Sequence, residues 1–348
     1  MGNTIELYRS RVKRFFLSLA TLLVLAVIVI ILSLSIGSSM ISPFEVFKAV
    51  FLKPFGYGIS GQVYVIATLR VTRTIAAFSC GIALALAGLL MQTTTRNPLA
   101  DPYIFGLSST ALTFIALAAL ISPVLVTSRY ALVLIAFIGA MTGYVFTLIL
   151  ARLAGGSSLA LVLAGIAIAS LFSGLSFVLL YLVQSVLRAP FVYFLMGSAS
   201  TVLAGDLAFL TYPLIPLTVV SMILYKPLNV YLYGDEYSRQ LGYNPRITAV
   251  VASAIAAFST ALTISFVGII GFIGLASPHI ARFLVGSDHR FTIPITILVG
   301  GVLTTFSDIV ARLVSIYSSG IGELPLGVIT SIIGAPFLAY LVVRRERD

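Results

Sequence analysis

The sequence predicts an all-α membrane protein with about ten transmembrane helices, and three observations support this fold class. Of the 348 residues, 59% are hydrophobic and only 9% are charged, which gives a mean hydropathy of +1.12. Apolar runs long enough to cross a bilayer core, about 20 residues for about 30 Å, recur along the whole chain. The basic residues are distributed unequally between the two sides of a ten-span arrangement, as the positive-inside rule requires.

The predicted spans cover residues 15–36, 74–92, 103–122, 130–151, 159–184, 207–225, 247–267, 268–285, 292–314 and 325–343. They form a single transmembrane domain over residues 1–348, with a short cytoplasmic N-terminus at 1–14 and a polar loop at 226–246. The first span is interpreted as a retained anchor, because it is longer than a signal-peptide core and no A-x-A cleavage site follows it.

The seventh and eighth spans are separated by backbone signals alone, because no charged residue lies between Arg246 and Arg282. One continuous helix over this stretch would be about 52 Å long, well beyond the bilayer core. Gly268, Gly271 and Gly274, followed by Pro278, are predicted to mark the break. Irregular backbone at this depth must be satisfied by protein, so we expect the break to lie inside the bundle.

The orientation follows from the 21 Lys and Arg residues, of which fourteen fall on one side of the ten-span arrangement. By the positive-inside rule this side faces the cytoplasm, so both termini are predicted to be cytoplasmic, in a multi-pass protein of the cell membrane. The same topology accounts for most of the net charge of +10. Nucleic-acid binding is excluded as a function, since no soluble basic face is predicted.

Several kinds of chemistry are missing from the sequence. None of the four lysines stands in a G-x-x-x-x-G-K-[ST] loop, so the chain is not predicted to bind ATP through a P-loop. His279 and His289 form no H-E-x-x-H pair, and no nucleophile stands at a recognisable spacing from a base. Cys80, the single cysteine, is predicted to be a packing residue. We therefore expect no catalytic residue, no metal site and no cofactor bound by this chain.

An ion-coupled secondary transporter is the alternative from another functional class. Such carriers place acidic residues in several spans, whereas Asp308 is the only acid well inside a predicted span here. Arg312 follows Asp308 at i+4, on the same helical face. A structural ion pair is the simpler interpretation of Asp308, and ion coupling is the other.

The segment GDEYSRQLGYNP, Gly234 to Pro245, is a polar island between apolar spans. Asp235 is predicted to cap a short helix, Gly242 to end it in the left-handed conformation, and Asn244-Pro245 to stop any continuation. A helix this short is only marginally stable in water, so we expect it to be stabilised by packing against another surface. Two partners stay open: the protein's own surface, or a cytoplasmic protein.

Seven ordered blocks carry a resemblance to a known family. They are RVTRTIAAFSCGIALALAGLLMQTTTRNPLADPYIFGL (70–107), LVLAGIAIASLF (161–172), FLMGS (194–198), GDEYSRQLG (234–242), GFIGLASPHIARFLVGSDHR (271–290), DIVARL (308–313) and ELPLGVITSIIGAPF (323–337). In this order they resemble the FecCD-type permeases, the membrane subunits of ATP-binding-cassette (ABC) importers for iron-siderophore, haem and cobalamin.

The resemblance implies a dimer of two permease subunits, two separate ATPase subunits that carry ATP and Mg²⁺, and an extracytoplasmic binding protein. A homodimer is favoured. The implied activity is ATP-driven alternating access for a metal chelate. Ferric siderophore is the favoured substrate, and cobalamin, haem and molybdate stay open.

The resemblance also assigns site residues. Coupling to the ATPase is implied for the polar segment, namely Gly234, Asp235, Glu236, Ser238, Arg239, Gln240, Leu241 and Gly242. Docking of the binding protein is implied for Arg70, Arg73 and Arg312, with interfacial snorkelling as the alternative for Arg70 and Arg73.

Small residues of the fifth span are candidates for the translocation path. Gly165, Ala169 and Ser173 recur at i+4 on one face, and Ser157 and Ser158 stand where the family has a cytoplasmic constriction. The alternative for the small-residue face is close helix packing.

Overall fold

A computed structural model of the chain describes residues 2–37, 41–52, 60–187, 196–317 and 323–345, and no β-strand occurs within these ranges. The all-α fold class is confirmed. Within these ranges seven helical segments, one of them the interrupted segment Ala204–Ile223, are long and apolar enough to cross a membrane, and three shorter apolar helices lie at Leu107–Ile121, Ile273–Val285 and Leu326–Pro336. Together these account for the ten predicted spans.

The helices are numbered here in chain order. They are α1 Gly2–Ser35, α2 Pro43–Phe47, α3 Gly61–Thr94, α4 Leu107–Ile121, α5 Pro123–Thr127, α6 Arg129–Leu153, α7 Ser158–Leu187, α8 Leu207–Thr211, α9 Leu214–Ile223, α10 Tyr225–Tyr231, α11 Asp235–Gln240, α12 Pro245–Val267, α13 Ile273–Val285, α14 His289–Tyr317 and α15 Leu326–Arg345. Short 3₁₀ turns occur at Pro102–Phe105, Ala199–Thr201 and Ala204–Asp206.

Three boundaries differ from the prediction. Helix α1 begins at Gly2, so the predicted N-terminal tail is helical over its described residues. Helix α3 begins at Gly61, well before residue 74, because the Ser60 side chain caps it by accepting a hydrogen bond from Val63 N at 3.3 Å. The sixth span is divided into α8 and α9 near Pro213, whose ring nitrogen has no hydrogen to donate.

Helix α3 lies at the centre of the bundle. Its residues are buried almost continuously from Ala76 to Thr94, and it packs against α12, α13 and α14. Glycines allow these helices to approach closely: a Cβ added at Gly88 would lie 1.8 Å from the carbonyl oxygen of Gly274, and one added at Gly81 would lie 2.2 Å from that of Gly300. Cys80 is fully buried in this packing, as predicted.

The break between the seventh and eighth spans lies inside the bundle, as expected. Helix α12 ends at Val267, Gly268 and Phe272 have φ angles of 88° and 68°, and α13 begins at Ile273. The Tyr103 hydroxyl donates to the carbonyl of Ile270 and accepts from its N–H, at 3.1 and 3.0 Å, so this irregular backbone is satisfied by protein. The prediction was wrong for Gly274 and Pro278, which both lie inside α13.

Candidate functional site

Two polar sites lie near opposite ends of α3. Arg73 belongs to the first, and Arg96, just beyond the end of α3, contacts the second. At 1.5 Å per residue the two positions are about 35 Å apart along the helix axis. We call them the arginine cluster (Arg70, Arg73 and Arg312) and the polar segment (residues 234–245).

The polar segment contains the predicted short helix, α11, over Asp235–Gln240. Gly242 has a φ angle of 81°, and the N–H groups of Gly242 and Tyr243 donate to the carbonyls of Arg239 and Ser238, both at 2.9 Å. This is the predicted left-handed helix end. The prediction was wrong for Asp235 as the cap: the N-cap position is Gly234, with a φ angle of 111° and no side-chain cap.

Asn244-Pro245 lies beyond the end of α11, which does not continue through it, and the dipeptide also has a second role. The Asn244 side chain accepts hydrogen bonds from the N–H groups of Arg246 and Ile247, and Pro245 occupies the first turn of α12. The dipeptide therefore begins the seventh span, because an asparagine cap and a first-turn proline both favour a helix start. The short helix is thus joined to the seventh span through residues 241–244.

One face of α11 is anchored and the other is open. Ser238 is buried and its hydroxyl donates to the carbonyl of Gly234 at 2.9 Å. On the open side, Tyr233, Tyr237 and Leu241 are 77%, 46% and 50% exposed. These residues are four apart, and the two tyrosine rings are in contact at 5.7 Å between centroids. The remaining exposed residues of the predicted coupling set are Asp235, Glu236, Arg239, Gln240 and Gly242.

Tyr233 and Tyr237 are functional candidates that the sequence analysis missed. The signal that could have found them is a pair of aromatic residues on either side of Gly234, within an otherwise polar segment that also contains Leu241. An exposed group of two aromatic side chains and a leucine on a short polar helix and its two ends is typical of a protein-docking surface.

Arg96 connects the polar segment to the central helix. Its guanidinium lies over the ring of Tyr231 at 4.1 Å, its Nε donates to the Tyr231 carbonyl at 3.0 Å, and its Nη2 forms an ion pair with Asp235. Arg96 itself has a φ angle of 49°, which few non-glycine residues adopt, and it directly follows the C-cap of α3. No local sequence signal identifies this role, since its partners lie about 135 residues away.

At the other end of α3, the carboxylate of Asp308 is fully buried between two arginines. Arg73 Nε donates to its two oxygens at 3.0 and 3.1 Å, and Arg312 Nη2 lies 3.0 Å from Oδ2. The predicted pair of Asp308 with Arg312 is present, and Arg73 is a further partner. Arg73 also bonds the exposed carboxylate of Glu323 through Nη1 at 2.9 and 3.0 Å.

Arg70 and Arg312 bind the C-terminal end of α1. Arg70 Nη1 donates to the carbonyls of Leu34 and Ser35 at 3.2 and 2.9 Å. Arg312 Nη1 donates to those of Ser33 and Ile36 at 2.8 and 2.7 Å. The last carbonyls of a helix lack partners within the helix and carry partial negative charge, so two guanidinium groups stabilise this end. Both arginines are therefore buried structural groups as well as docking candidates.

A cavity of about 530 Å³ opens beside the arginine cluster. All three arginines line it, together with Glu323, Ser200 and Ser315. Arg73 Nη2 has no hydrogen-bond partner among the described residues, which leaves this group able to donate to a ligand or to a partner protein.

The small residues of the fifth span are used for packing on one face of α7. A Cβ added at Gly165 would lie 2.4 Å from the carbonyl of Ile104, and Gly106 lies against the backbone of Ala169. The contacts of Gly165 and Ala169 thus favour the packing alternative. Ser173 is partly exposed, and Ser157 and Ser158 lie at the start of the helix, where Ser157 Oγ accepts from Ala160 N at 3.0 Å. Ala167, Ser170 and Gly174 form a neighbouring face of small residues that is exposed.

Comparison with known proteins decides the family. The model of the FecCD transport family matches residues 24–344. The chain belongs to the FecCD transport family. This FecCD chain is 31% identical to the Fe(3+)-citrate import system permease protein YfmD of Bacillus subtilis, over 97% of this chain and 98% of YfmD. It is 34% identical to the ferric enterobactin transport system permease protein FepD of Escherichia coli, over 94% and 95%.

A solved structure agrees with these matches. It is described as an inward-facing conformation of a metal-chelate type ABC transporter, and it superposes with a TM-score of 0.78 and 28% identity over 94% of this FecCD chain and 98% of that one. A cobalamin import system permease protein, BtuC of Halobacterium salinarum, is 33% identical over 87% of this chain and 80% of BtuC. The FecCD chain is thus a multi-span membrane permease of the ABC importer class.

Proposed function

We propose that this chain is the membrane subunit of a binding-protein-dependent ABC importer that carries a metal chelate by ATP-driven alternating access. Two copies would enclose the path, two ATPase subunits would bind on the cytoplasmic side with ATP and Mg²⁺, and a binding protein would deliver substrate outside. Ferric siderophore is the favoured cargo, because relatives are named for ferric citrate and ferric enterobactin transport. Cobalamin, haem and molybdate remain alternatives within the same class.

The observation that carries the proposal is the polar segment with its exposed stripe. Tyr233, Tyr237 and Leu241 offer an apolar surface on and beside a helix that is too short to be stable alone. The Arg96 contacts tie this helix to the end of α3, and Asn244-Pro245 begin α12 directly after it. A push on α11 would therefore move α3 and α12 together, which is what ATP-driven alternating access needs.

The arginine cluster supports binding-protein docking at the opposite end. Its three arginines outnumber the two carboxylates beside them, so the cavity keeps a net positive charge toward an acidic partner. Arg73 is the best placed of the three, because one of its nitrogens is still able to donate. The path itself would follow Ser173, Ser157 and Ser158 and the exposed small residues of α7 beside them.

An ion-coupled mechanism is not proposed. Asp308 was the acid on which it depended, and two arginines within hydrogen-bond distance neutralise this carboxylate. A cation would have to displace a guanidinium from a buried site before it could bind there.

Copurification tests the coupling role. The full chain, coexpressed with a candidate ABC ATPase, should retain the ATPase through affinity purification, and Arg239→Asp with Leu241→Asp should abolish the complex. The new aspartates, one at Leu241 in the exposed stripe and one close by at Arg239, would have to be desolvated against the partner. Losses of 2 kcal/mol or more, about 30-fold in affinity, are common at such positions.

Arg14→Asp is the matched control, because Arg14 is exposed and the substitution changes the charge by the same amount as Arg239→Asp. Tyr8 on the same helix contacts Arg290 at 3.4 Å, which places the start of α1 at the same end of the bundle as the polar segment. If the ATPase is retained by the double variant, or is lost equally from the control, the coupling assignment is wrong.

A further inference from the structure

A cavity of about 570 Å³ lies at the end of the bundle that carries the polar segment, between α6, α7 and α12. Arg152 and Arg246 line it, together with the hydroxyl-bearing residues Ser157, Ser158 and Tyr231. We propose that this cavity binds the headgroup of an anionic phospholipid. The proposal rests on Arg152 and Arg246 and does not depend on the transport function, although the cavity shares Ser157 and Ser158 with the path proposed above.

Charge is the first argument. Both arginines are exposed, neither forms an ion pair with a described residue, and no carboxylate lines the cavity. Three acids at the same end of the bundle are already engaged: Asp235 pairs with Arg96, Glu236 with Arg239, and Asp288 accepts from Asn229 at 2.7 Å. The cavity therefore keeps two uncompensated positive charges, and a phosphate group would neutralise them through charge-assisted hydrogen bonds.

Backbone geometry adds to this charge. Helix α7 begins at Ser158 and α12 begins at Pro245, so the N-terminal ends of two long helices lie at the cavity. Helix N-termini carry partial positive charge and favour an anion. Ser158 Oγ lies 3.3 Å from the Tyr231 hydroxyl, which shows that these polar groups converge on one wall.

Apolar side chains on one side of the cavity favour a lipid over a free anion as the ligand. Val145, Ile149 and Val250 line the same cavity and are 46%, 52% and 50% exposed. They belong to α6 and α12, both long enough to cross the membrane, so the cavity continues into exposed apolar side chains of two candidate spans. A basic site at the helix ends with an apolar continuation matches a phosphate headgroup followed by acyl chains.

Native mass spectrometry of the purified full chain tests this proposal. The protein is delipidated and titrated with dioleoyl phosphatidylglycerol or with dioleoyl phosphatidylcholine. We expect wild type to retain phosphatidylglycerol, and Arg152→Gln with Arg246→Gln to bind it at least about tenfold more weakly, since each basic side chain contributes about 1 kcal/mol toward an anionic lipid. Binding of phosphatidylcholine should be weak in every variant.

The matched control is Arg11→Gln with Arg14→Gln, which removes the same charge from two exposed arginines of α1. This variant should bind phosphatidylglycerol as wild type does. Equal loss in both double variants would show general charge attraction and would overturn the site. Unchanged binding in Arg152→Gln with Arg246→Gln would overturn it too. Displacement of the lipid by low millimolar inorganic phosphate would show that the cavity binds phosphate alone, and would refute the lipid assignment.

Discussion

Replacing Asp308 by asparagine should destabilise the protein strongly, although the two side chains have almost the same shape. The Asp308 carboxylate is fully buried and accepts hydrogen bonds from Arg73 and Arg312 at about 3.0 Å. Asparagine keeps one oxygen, but its amide group points donors at a guanidinium, and its neutral charge leaves Arg312 without its carboxylate and Arg73 with only the exposed Glu323. Removing one partner of a buried ion pair costs about 3–5 kcal/mol.

Glu323→Gln is the internal comparison, because Glu323 contacts the same arginine but its side chain is 56% exposed. An exposed ion pair contributes only about 0–1 kcal/mol. The two variants therefore remove the same charge from the same cluster and are expected to differ by about 2 kcal/mol or more in free energy of unfolding.

The assay is equilibrium unfolding of the purified chain in mixed micelles of mild detergent and sodium dodecyl sulfate, followed by circular dichroism or fluorescence. Asp308→Asn should unfold at a clearly lower fraction of sodium dodecyl sulfate than wild type, and Glu323→Gln should unfold close to it. If both variants unfold with wild type, or if Glu323→Gln is the less stable of the two, the description of Asp308 as the buried anchor of the cluster is refuted.

Two further predictions concern docking and packing. Arg73→Gln should weaken capture of the binding protein, and the difference from wild type should be smaller at high salt. Glu323→Gln should strengthen capture, because it removes the acid that competes for Arg73. Unchanged capture in both variants would remove the cluster from the docking site. Gly88→Ala should lower the free energy of unfolding by about 1–3 kcal/mol or more in the same micelle assay, since its Cβ would lie 1.8 Å from a carbonyl oxygen. Gly61→Ala should leave stability unchanged, because a Cβ there would meet nothing within 4 Å. Equal stability of the two alanine variants would contradict the tight crossing of α3 and α13.

Much of the fold could be predicted from the sequence because its signals are local. Bilayer thickness fixes the number of apolar residues in a span, so the ten segments were visible in composition alone. Gly268 and Gly242 mark chain breaks because the backbone at both positions has a positive φ angle, which glycine adopts at little cost. The short helix of the polar segment was predicted for the same reason, although Gly234 and not Asp235 is at its cap position.

What the sequence could not give was the partner of each polar group. Asp308 was paired with Arg312 because i+4 neighbours share a helical face, but its second partner, Arg73, is 235 positions away. Arg96 has no local feature that distinguishes it from the other basic residues, and its role depends on α10 and α11 folding back to the end of α3. The rotation of α7 decided that Gly165 and Ala169 face Ile104 and Gly106, which left other small residues exposed.

The sequence by itself therefore determined how many helices cross the membrane, where they break and which short segment stays polar. These properties depend on the hydrophobicity and backbone preferences of residues close together in the chain. Only the tertiary structure decided that Arg70 and Arg312 hold the end of α1, that Arg96 ties α11 to α3, and that Arg152 and Arg246 share one cavity without a counter-charge. Such contacts join distant residues, and they depend on which helices are neighbours and on which face each one turns toward the other.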